Sequence, residues 1–467
     1  MSGDKKTITV VGGGLAGLSS ACALADAGYH VRLLERRPYV GGRASSYEHP
    51  GTGEVIDNCQ HVLVGRCTNL IDLYRRLGAL DSIRWYDHFT FIEPGGRKSV
   101  LQPSFLPAPL HSSFSFLRAH AFSLTDKLAI ARGLSAFITG IPQDTEENFV
   151  HWLKRHGQTQ RAIDRFWYPV LVSALNEDLD RISIRYAGKV FRETFLSSAQ
   201  AGRMGIPSIP LSDLYGRAID YLVARGGEVL LRTSVNAIEH DGDQWIVRSG
   251  DQAFPSDAIV MALSFEALAS LLPSMPQNTE AESLAAKLAQ FEHSPITGIH
   301  LWFDREITEL DHAVLLDSTI QWIFNKSRLQ PGHRDQQGSY VELVVSASRS
   351  LVPMQRQEII DLAMRELARF FPVVSTAKLM KATVVKEVRA TYSVRPQLDT
   401  IRPTAESPWS GIFLAGDWVA TGWPATMEGA VRSGYLAAEA VAKAMGIPQK
   451  FLVPDLPHCG FMKLTQG

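Results

Sequence analysis

A glycine-rich turn near the start of the chain constrains the fold more than any other feature of the sequence. Gly12, Gly14 and Gly17 follow a short apolar strand pattern with the spacing G-x-G-x-x-G and, with Leu15 and Ala16, open a helical pattern. The first glycine permits the tight bend, the second lets the backbone approach a pyrophosphate, and the third allows the helix to pack on the strand. The positive end of that helix attracts phosphate. The turn therefore predicts a Rossmann-like nucleotide-binding fold.

Two later features indicate which nucleotide is bound. Glu35 closes the next strand pattern 23 residues after Gly12, where an acid accepts hydrogen bonds from the adenosine ribose and repels a 2′-phosphate. This position favours FAD or NAD over NADP. Gly41, Gly42 and Arg43 form a second glycine turn, whose amides and cation can reach the far side of a pyrophosphate. The second turn favours FAD.

A second candidate flavin-binding segment lies near the other end of the chain. The apolar strand pattern 412–415 ends at Gly416 and Asp417, and a helical pattern begins near Met427. Ligands bind at the carboxyl ends of strands in open parallel sheets, and a helix N-terminus stabilises negative charge on a reduced flavin. A third strand pattern, which begins at Gly227 and continues to residue 238, contains Val235.

These segments predict an α/β protein in which a Rossmann-like FAD-binding domain is discontinuous. That domain comprises residues 1–90, 205–265 and 395–445, and residues 446–467 form a C-terminal tail. The intervening residues 91–204 and 266–394 form an inserted α+β substrate domain. Within it we expect helices over 120–200, strands over 296–303 and 339–346, and an amphipathic helix over 356–371.

Composition excludes several other classes of protein. The 47 Lys and Arg residues nearly balance the 48 Asp and Glu residues, so no basic surface for nucleic acid is expected. The four cysteines lack C-x-x-C spacing, so we expect neither disulfides nor a metal site. This cysteine usage indicates a reducing compartment. Lys5, Lys6 and the apolar run after them resemble a signal peptide, but that run encodes the glycine turn. We therefore expect a cytoplasmic protein.

One apolar segment could contact lipid. Residues 103–122 combine several Phe and Leu side chains with three prolines and nearby Arg and His residues. Such a segment forms an interfacial patch, the mouth of a tunnel for an oily substrate, or a proline-rich loop over a core. The first interpretation would make the protein peripheral on the inner face of the cell membrane.

The motifs together resemble the flavoprotein superfamily of amine oxidases and carotenoid desaturases. The resemblance implies that Asp417 binds the ribityl or pyrophosphate part of FAD, that Val235 contacts adenine, and that the helix at Met427 faces the flavin pyrimidine ring. Amine oxidases carry an aromatic residue at the position of Thr426, so the departure counts against amine oxidation. Carotenoid desaturases carry a glycine-rich segment where this chain has 417–422 (DWVATG), which weakens that interpretation too.

Three blocks resemble one narrower family, the hydroxysqualene dehydroxylases. They are 57–65 (DNCQHVLVG), 166–176 (FWYP and ALN), and 414–430 (LAGDW and TGWPATMEGA), with 389–391 (RAT) and 402–403 (RP) in support. The resemblance implies that reduced FAD converts hydroxysqualene, a C30 allylic alcohol, into squalene and water, as in squalene and hopanoid biosynthesis. The sequence does not indicate which molecule reduces the FAD.

The candidate catalytic residues are Asp57 and His61, four residues apart after the first flavin-binding segment. Either could reach the isoalloxazine or the substrate hydroxyl, and Tyr392 and Arg395 are second choices. Structural roles are the alternative: a loop anchor for Asp57 and a buried, hydrogen-bonded histidine for His61. For the whole chain, the alternatives are a carotenoid-type desaturase, an amine oxidase, and a non-catalytic FAD-binding protein that escorts prenylated proteins.

Overall fold

The computed structural model describes residues 5–242, 244–333 and 338–465. The strands are β1 (Thr7–Val11), β2 (His30–Leu34), β3 (Ser46–Glu48), β4 (Val55–Asp57), β5 (Leu63–Val64), β6 (Ile83–Tyr86), β7 (Phe89–Ile92), β8 (Lys98–Leu101), β9 (Met204–Pro207), β10 (Glu228–Leu230), β11 (Ala237–Asp241), β12 (Gln244–Ser249), β13 (Gln252–Ser256), β14 (Ala258–Met261), β15 (His293–Phe303), β16 (His312–Leu315), β17 (Trp322–Asn325), β18 (Ser339–Ser346), β19 (Leu379–Tyr392) and β20 (Ile412–Leu414).

The α-helices vary from single turns to five turns in length. They are α1 (Leu15–Asp26), α2 (Thr68–Arg76), α3 (Ser113–Arg118), α4 (Leu124–Ile138), α5 (Phe149–Arg155), α6 (Gln160–Ala162), α7 (Tyr168–Leu175), α8 (Ile184–Lys189), α9 (Leu211–Val223), α10 (Phe265–Leu271), α11 (Thr279–Leu288), α12 (Lys326–Leu329), α13 (Arg356–Phe370) and α14 (Met427–Ala444). Among the described residues, no helix combines the length and the apolar composition that crossing a bilayer requires.

A five-stranded parallel sheet joins distant parts of the chain. Its strand order is β10, β2, β1, β14 and β20, and every neighbouring pair is parallel. All five strands lie within residues 1–90, 205–265 and 395–445. The sheet confirms the predicted α/β class and the Rossmann-like architecture, while the division of the chain into domains at those residue numbers stays a prediction.

Both faces of this sheet are covered, as its apolar strands require. Side chains alternate between two cores: Val260 packs with α1, α9 and α14, whereas Ile259 packs in the core that contains Ile238 and Val247 of β11 and β12. The helices α1 and α14 cross without space for a side chain, because a Cβ on Gly434 would lie 2.2 Å from the Ala16 carbonyl oxygen. The N-terminal and C-terminal motifs are thereby held together.

A second, seven-stranded sheet is mostly antiparallel. Its order is β19, β15, β18, β17, β16, β7 and β8, with one parallel pair, β16 and β7. The predicted strands 296–303 and 339–346 and the predicted helix 356–371 are confirmed as β15, β18 and α13. The helix packs on one face of the sheet through residues such as Ile359 and Leu367. The predicted helical region 120–200 contains α4 to α8.

The strand pattern predicted from Gly227 to residue 238 is wrong in its middle. β10 ends at Leu230 and β11 begins at Ala237, so Val235 lies in the connecting loop. Arg232 takes a positive φ of 57°, which ends the extended backbone. Apolar residues keep the alternating spacing of a strand across this loop, so the sequence pattern did not reveal the break.

Candidate flavin site

The first glycine turn lies at the carboxyl end of the parallel sheet, where backbone atoms crowd together. At Gly12, φ is +107° and a Cβ would lie 2.4 Å from the Ala262 carbonyl oxygen. At Gly17, a Cβ would lie 1.8 Å from the Gly12 carbonyl oxygen. Gly14 precedes α1 and no side chain caps the helix. The amides of Leu15 and Ala16 therefore begin a helix whose N-terminus is free of side-chain acceptors and suits a phosphate.

The second glycine turn packs directly on the first. The Gly41 amide donates to the Gly13 carbonyl at 2.8 Å. A Cβ on Gly42, where φ is +63°, would lie 2.9 Å from the Gly14 Cα. The two turns form one backbone cradle, and side chains are excluded from its floor. That is the shape required where a dinucleotide approaches the main chain.

Glu35 lies at the end of β2 beside this cradle. Its Oε2 accepts from the Gly13 amide at 2.6 Å and its Oε1 accepts from the Arg37 amide at 2.7 Å. Each carboxylate oxygen retains a further acceptor site for a ribose hydroxyl. The Thr233 amide donates to the Glu35 carbonyl at 2.9 Å. The loop that carries Val235 therefore lies beside Glu35, at the carboxyl end of the sheet.

An ion pair joins the second glycine turn to the C-terminal segment. The Arg43 guanidinium donates to the Asp417 carboxylate at 2.5 Å and to the Ala390 carbonyl at 3.1 Å. Asp417 is buried, while Arg43 is partly exposed. Gly416 precedes Asp417 with φ of +153°, and its amide donates to the Ser433 hydroxyl at 2.8 Å. The acid is thus fixed at the end of β20 by both main-chain and side-chain contacts.

The helix α14 begins beside these residues, at Met427. Thr426 caps it, because its hydroxyl accepts from the Gly429 amide at 3.0 Å. This capping role explains a small polar residue at a position where amine oxidases have an aromatic one. Glu428 turns away, and its carboxylate accepts from the amides of Asn69 and Leu70 at the start of α2, at 3.2 and 2.8 Å.

A buried arginine organises the loop that follows β20, a function that the sequence did not reveal. Arg402 donates to the main-chain carbonyls of Trp418 at 3.1 Å and Trp423 at 2.8 Å, and also to those of Asp417 and Val419. The Tyr392 ring lies 5.4 Å from its guanidinium. Tyr392 has a buried hydroxyl without a hydrogen-bond partner in the described structure, whereas Arg395 forms an ion pair with Glu292 at 2.6 Å.

The two candidate catalytic residues point to different surroundings. Asp57 is buried in an ion pair with Lys326 at 2.6 Å, and it also accepts from the Ser46 hydroxyl at 2.6 Å and the Leu211 amide at 3.1 Å. Burial opposes ionisation of the carboxyl, but the neighbouring ammonium and hydroxyl outweigh it and hold the pKa of Asp57 below its ordinary value. At neutral pH, Asp57 is a carboxylate with no proton to give.

His61 makes one defined hydrogen bond. Its Nδ1 lies 2.7 Å from the Cys59 carbonyl oxygen, which can only accept, so Nδ1 carries a proton. Burial lowers the pKa of His61, so the ring is neutral at pH 7. Its Nε2 is then an acceptor, suited to receive a hydrogen bond rather than to supply a proton. The catalytic roles of Asp57 and His61 stay predictions.

A cluster of buried charges around Asp57 was missed by sequence reasoning. Lys326 contacts Gln60 Oε1 at 3.0 Å and Glu342 Oε2 at 3.6 Å in addition to Asp57. All four side chains are buried. A glutamate inside the apolar strand pattern 339–346 was the one available signal, because an ionisable residue on a doubly buried strand requires a partner or a function.

We predict that replacing Asp417 with Asn weakens FAD binding about tenfold, because the Arg43 cation loses its charged partner. FAD content after dialysis, measured by flavin absorbance per polypeptide, tests this. Asp257→Asn is the matched control, since Asp257 binds Lys6 at the opposite end of the same sheet. Equal FAD retention in the two variants would contradict the role of the ion pair.

We predict that Asp57→Asn lowers the free energy of unfolding by about 3 kcal/mol, because it leaves the buried Lys326 ammonium without its closest charge. The added change Lys326→Met should recover more than half of the loss. Because the pKa of Asp57 is lowered, the contribution is present at neutral pH and declines as the pH falls below about 4.

Urea unfolding of the flavin-loaded protein measures both variants. Glu239→Gln is the control, since it breaks an exposed pair with Arg248 and should cost under about 1 kcal/mol. No loss in Asp57→Asn, or no recovery in the double variant, would show that the pair does not stabilise the fold.

The site suits FAD on grounds independent of any relative. The cradle excludes side chains, an uncapped helix N-terminus faces it, the Glu35 carboxylate contacts its Gly13 amide, and the Arg43 cation follows the second turn. A second helix N-terminus, that of α14, begins at the far end of the same edge. Together these features line the sheet edge as the adenosine, pyrophosphate and flavin parts of FAD would require.

Comparisons with known proteins agree with this geometry. The chain is 28% identical over 461 residues to the 15-cis-phytoene desaturase of Synechococcus elongatus, covering 93% of this chain and 95% of that protein. It is 29% identical over 457 residues to the 15-cis-phytoene desaturase of Narcissus pseudonarcissus, covering 93% and 79%.

Solved structures show the same fold. An oxidoreductase from Methanosarcina mazei is similar with a TM-score of 0.71 at 16% identity, covering 94% of this chain and 100% of the other. Cyclohexylamine oxidase from Brevibacterium oxydans gives a TM-score of 0.65 at 18% identity, covering 95% and 100%. The family described as flavin containing amine oxidoreductase matches residues 15–442. The chain therefore belongs to the flavin-containing amine oxidoreductases and is an FAD-dependent oxidoreductase.

Proposed function

We propose that this enzyme removes the hydroxyl group of hydroxysqualene by FAD-dependent reduction, giving squalene and water. One observation carries the proposal: the blocks that resemble hydroxysqualene dehydroxylases are linked by a chain of hydrogen bonds. Asn58 donates to the Arg43 carbonyl at 2.8 Å, and Arg43 donates to Asp417 and to the Ala390 carbonyl. At the next residue, Thr391 accepts from Asn176 at 2.9 Å. Segments far apart in sequence thus form one connected structure.

The similarity to phytoene desaturases supports an isoprenoid substrate. It also favours the second candidate function, oxidative desaturation of an isoprenoid chain, because 93% of this chain matches those relatives. Where amine oxidases carry an aromatic residue, this chain has Thr426, whose side chain caps α14. This difference counts against amine oxidation. The two isoprenoid reactions differ in redox direction, so reduced and oxidised enzyme distinguish them.

Bound FAD would supply the two electrons and the hydrogen that the allylic carbon receives. We propose that Gly12, Gly14, Leu15, Ala16 and Gly17 hold its pyrophosphate and that Glu35 holds the adenosine ribose.

We further propose contacts for the remaining parts of the cofactor. Gly42 and Arg43 would contact the far side of the pyrophosphate, and Val235 the adenine. Gly416 and Asp417 would bind the ribityl part, and the N-terminus of α14 at Met427 would face the pyrimidine ring, where its positive end stabilises negative charge.

The protein's own polar groups suggest distinct roles near the substrate. Neutral His61 presents an acceptor at Nε2, which would orient the substrate hydroxyl through its proton. Asp57 would act as a positioning residue, because its carboxylate fixes the Lys326 ammonium within the buried cluster. An apolar substrate with one hydroxyl requires few such groups.

We propose that the apolar surface formed by residues 103–122 and the first turns of α4 contacts the cell membrane. Its large apolar side chains face solvent: Phe105 is 88% exposed, Leu124 70% and Leu128 65%. The Phe105 and Phe114 rings lie 5.8 Å apart, and Lys127 donates to the Leu117 carbonyl, which joins α4 to α3. Side chains of this kind insert into the interface of a bilayer, from which a C30 hydrocarbon would be taken.

We predict that Leu124→Gln with Leu128→Gln weakens binding to vesicles of phosphatidylcholine and phosphatidylglycerol at least about tenfold, because two leucines leave the apolar interface. Co-sedimentation with the vesicles measures the binding. Val223→Gln is the control, since Val223 is 57% exposed at the end of α9, in a different part of the fold. Unchanged sedimentation of the double variant would exclude this surface.

For the reaction itself, we predict that anaerobically reduced enzyme mixed with hydroxysqualene becomes reoxidised and forms squalene in equal amount. Flavin absorbance follows the first change and mass spectrometry of the extracted lipid the second. Bleaching of the oxidised enzyme by phytoene, without any reaction of the reduced enzyme with hydroxysqualene, would replace this proposal with desaturation. Bleaching by an amine would replace it with amine oxidation.

A further inference from the structure

A glycine of the seven-stranded sheet faces Asn58, the residue that follows Asp57. Gly298 lies on β15, paired with Val344 of β18 and Val385 of β19. A Cβ placed on Gly298 would lie 3.5 Å from the Asn58 carbonyl oxygen, 3.5 Å from His300 Nε2 and 3.7 Å from Glu342 Oε1. The missing side chain thus leaves a space that three polar atoms border.

Two of these atoms belong to buried side chains whose polar groups are incompletely paired. Glu342 is fully buried; its Oε2 has a long contact with Lys326 Nζ, at 3.6 Å, and the backbone amide of Gln60 also faces the carboxyl. His300 is also fully buried; its Nδ1 lies 2.7 Å from the Tyr340 hydroxyl, while its Nε2 has no partner among the described residues. A buried polar atom without a partner is costly, so its presence indicates a ligand or a proton-transfer role.

The charges around Glu342 favour a carboxyl that keeps its proton. Lys326 is the nearest cation, with Nζ 3.6 Å from Glu342 Oε2, but it lies closer to Asp57 at 2.6 Å. Burial, opposed by Lys326 and assisted by Asp57, raises the pKa of Glu342 to about 7. His300 stays neutral, because burial and the nearby Lys326 lower its pKa to about 3. Tyr340 and Cys59 also face Glu342, and both are neutral because burial raises the pKa of the phenol and of the thiol.

We propose that Glu342 is the catalytic acid, which donates its proton to the leaving hydroxyl of the substrate bound over Gly298. The inference rests on the proposed dehydroxylation. The proton passes from the carboxyl to the hydroxyl oxygen, the carbon–oxygen bond breaks, and the oxygen leaves as water. The allylic carbon would take a hydride, two electrons with one hydrogen, which reduced FAD would supply on becoming oxidised. The resulting carboxylate lies beside Lys326 and regains its proton from solvent after product release.

The division of roles follows from protonation. Asp57 is ionised and holds no proton, and the one ring proton of neutral His61 is donated to the Cys59 carbonyl. Glu342 holds one near neutrality and faces the space over Gly298. The ideal pKa of a general acid lies close to the working pH, because the group must be protonated and must also release its proton.

The test compares Glu342→Gln with the wild type in single-turnover reduction of hydroxysqualene by dithionite-reduced enzyme. We expect squalene formation to fall by about 10² to 10⁴, the usual effect of losing a general acid, with FAD content unchanged. The wild-type rate should fall as the pH rises above about 7, and the Glu342→Gln rate should show no such decline. Glu342→Asp should restore part of the rate.

An independent readout is the infrared carbonyl band of a protonated carboxyl in the flavin-loaded enzyme. We expect this band in the wild type at pH 6, its loss above pH 8, and its absence in Glu342→Gln. Glu366→Gln is the matched control: Glu366 is a buried glutamate of α13 whose carboxylate accepts from Ser318 at 2.6 Å and Thr319 at 3.0 Å. It should change stability without changing turnover per bound flavin.

The outcomes separate the two proposals. A wild type that forms squalene together with a Glu342→Gln variant within about threefold of its rate would overturn Glu342 as the acid and leave dehydroxylation intact. A wild type that forms no squalene would overturn dehydroxylation and, with it, this proton donor. Retention of the infrared band in Glu342→Gln would assign the proton to another group.

Discussion

No side chain fits between the end of β1 and the end of β14, and this constraint fixes the flavin site. A Cβ on Gly12 would overlap the Ala262 carbonyl oxygen, and one on Gly17 would overlap Gly12 itself. Because the strands meet so closely, the amides of the turn and the start of α1 lie at the sheet edge, open to a phosphate. The second glycine turn then packs on the first, and Arg43 extends from it to Asp417. If FAD binds here as proposed, its binding would depend on backbone contact more than on any side chain.

Buried charge governs the opposite side of the site. Asp57, Lys326 and Glu342 lie together in the interior, and one ammonium cannot neutralise two carboxylates equally well. The shorter contact makes Asp57 the ionised partner and leaves Glu342 to hold a proton. Unpaired charge in an apolar interior lowers the stability of the fold. Clusters of buried ionisable groups are therefore found mainly at functional sites, where their protonation states serve the reaction. Electrostatics thereby assigns different roles to two carboxyls that composition alone cannot distinguish.

Much of the fold and of the local geometry of the candidate cofactor site could be predicted from sequence, because the responsible signals are local. The glycine spacing, Glu35 at the end of β2 and the apolar pattern of 339–346 each depend on neighbours along the chain, and the structure has the corresponding turn and strands there. Val235 was expected within a strand and lies in a loop, because apolar periodicity does not detect the turn at Arg232.

The charge cluster and the loop anchor could not be predicted in the same way. Lys326 meets Asp57 across 269 residues, and Arg402 binds carbonyls of a loop more than a dozen residues further along the chain. Such contacts depend on how the two sheets come together, and no local pattern encodes them. The spacing of Asp57 and His61 likewise did not reveal their contacts, which are with Lys326 and with the Cys59 carbonyl.

The most direct measurement is a crystal structure of the oxidised, FAD-bound enzyme with an unreactive ammonium analogue of the allylic cation. We predict that the flavin lies along the glycine cradle beside Arg43 and Asp417, with the reacting face of its ring toward the space over Gly298. The cationic nitrogen of the analogue should lie within about 4 Å of Glu342, as for a charged pair in contact. A flavin bound elsewhere, or an analogue held away from β15 and β18, would contradict this account.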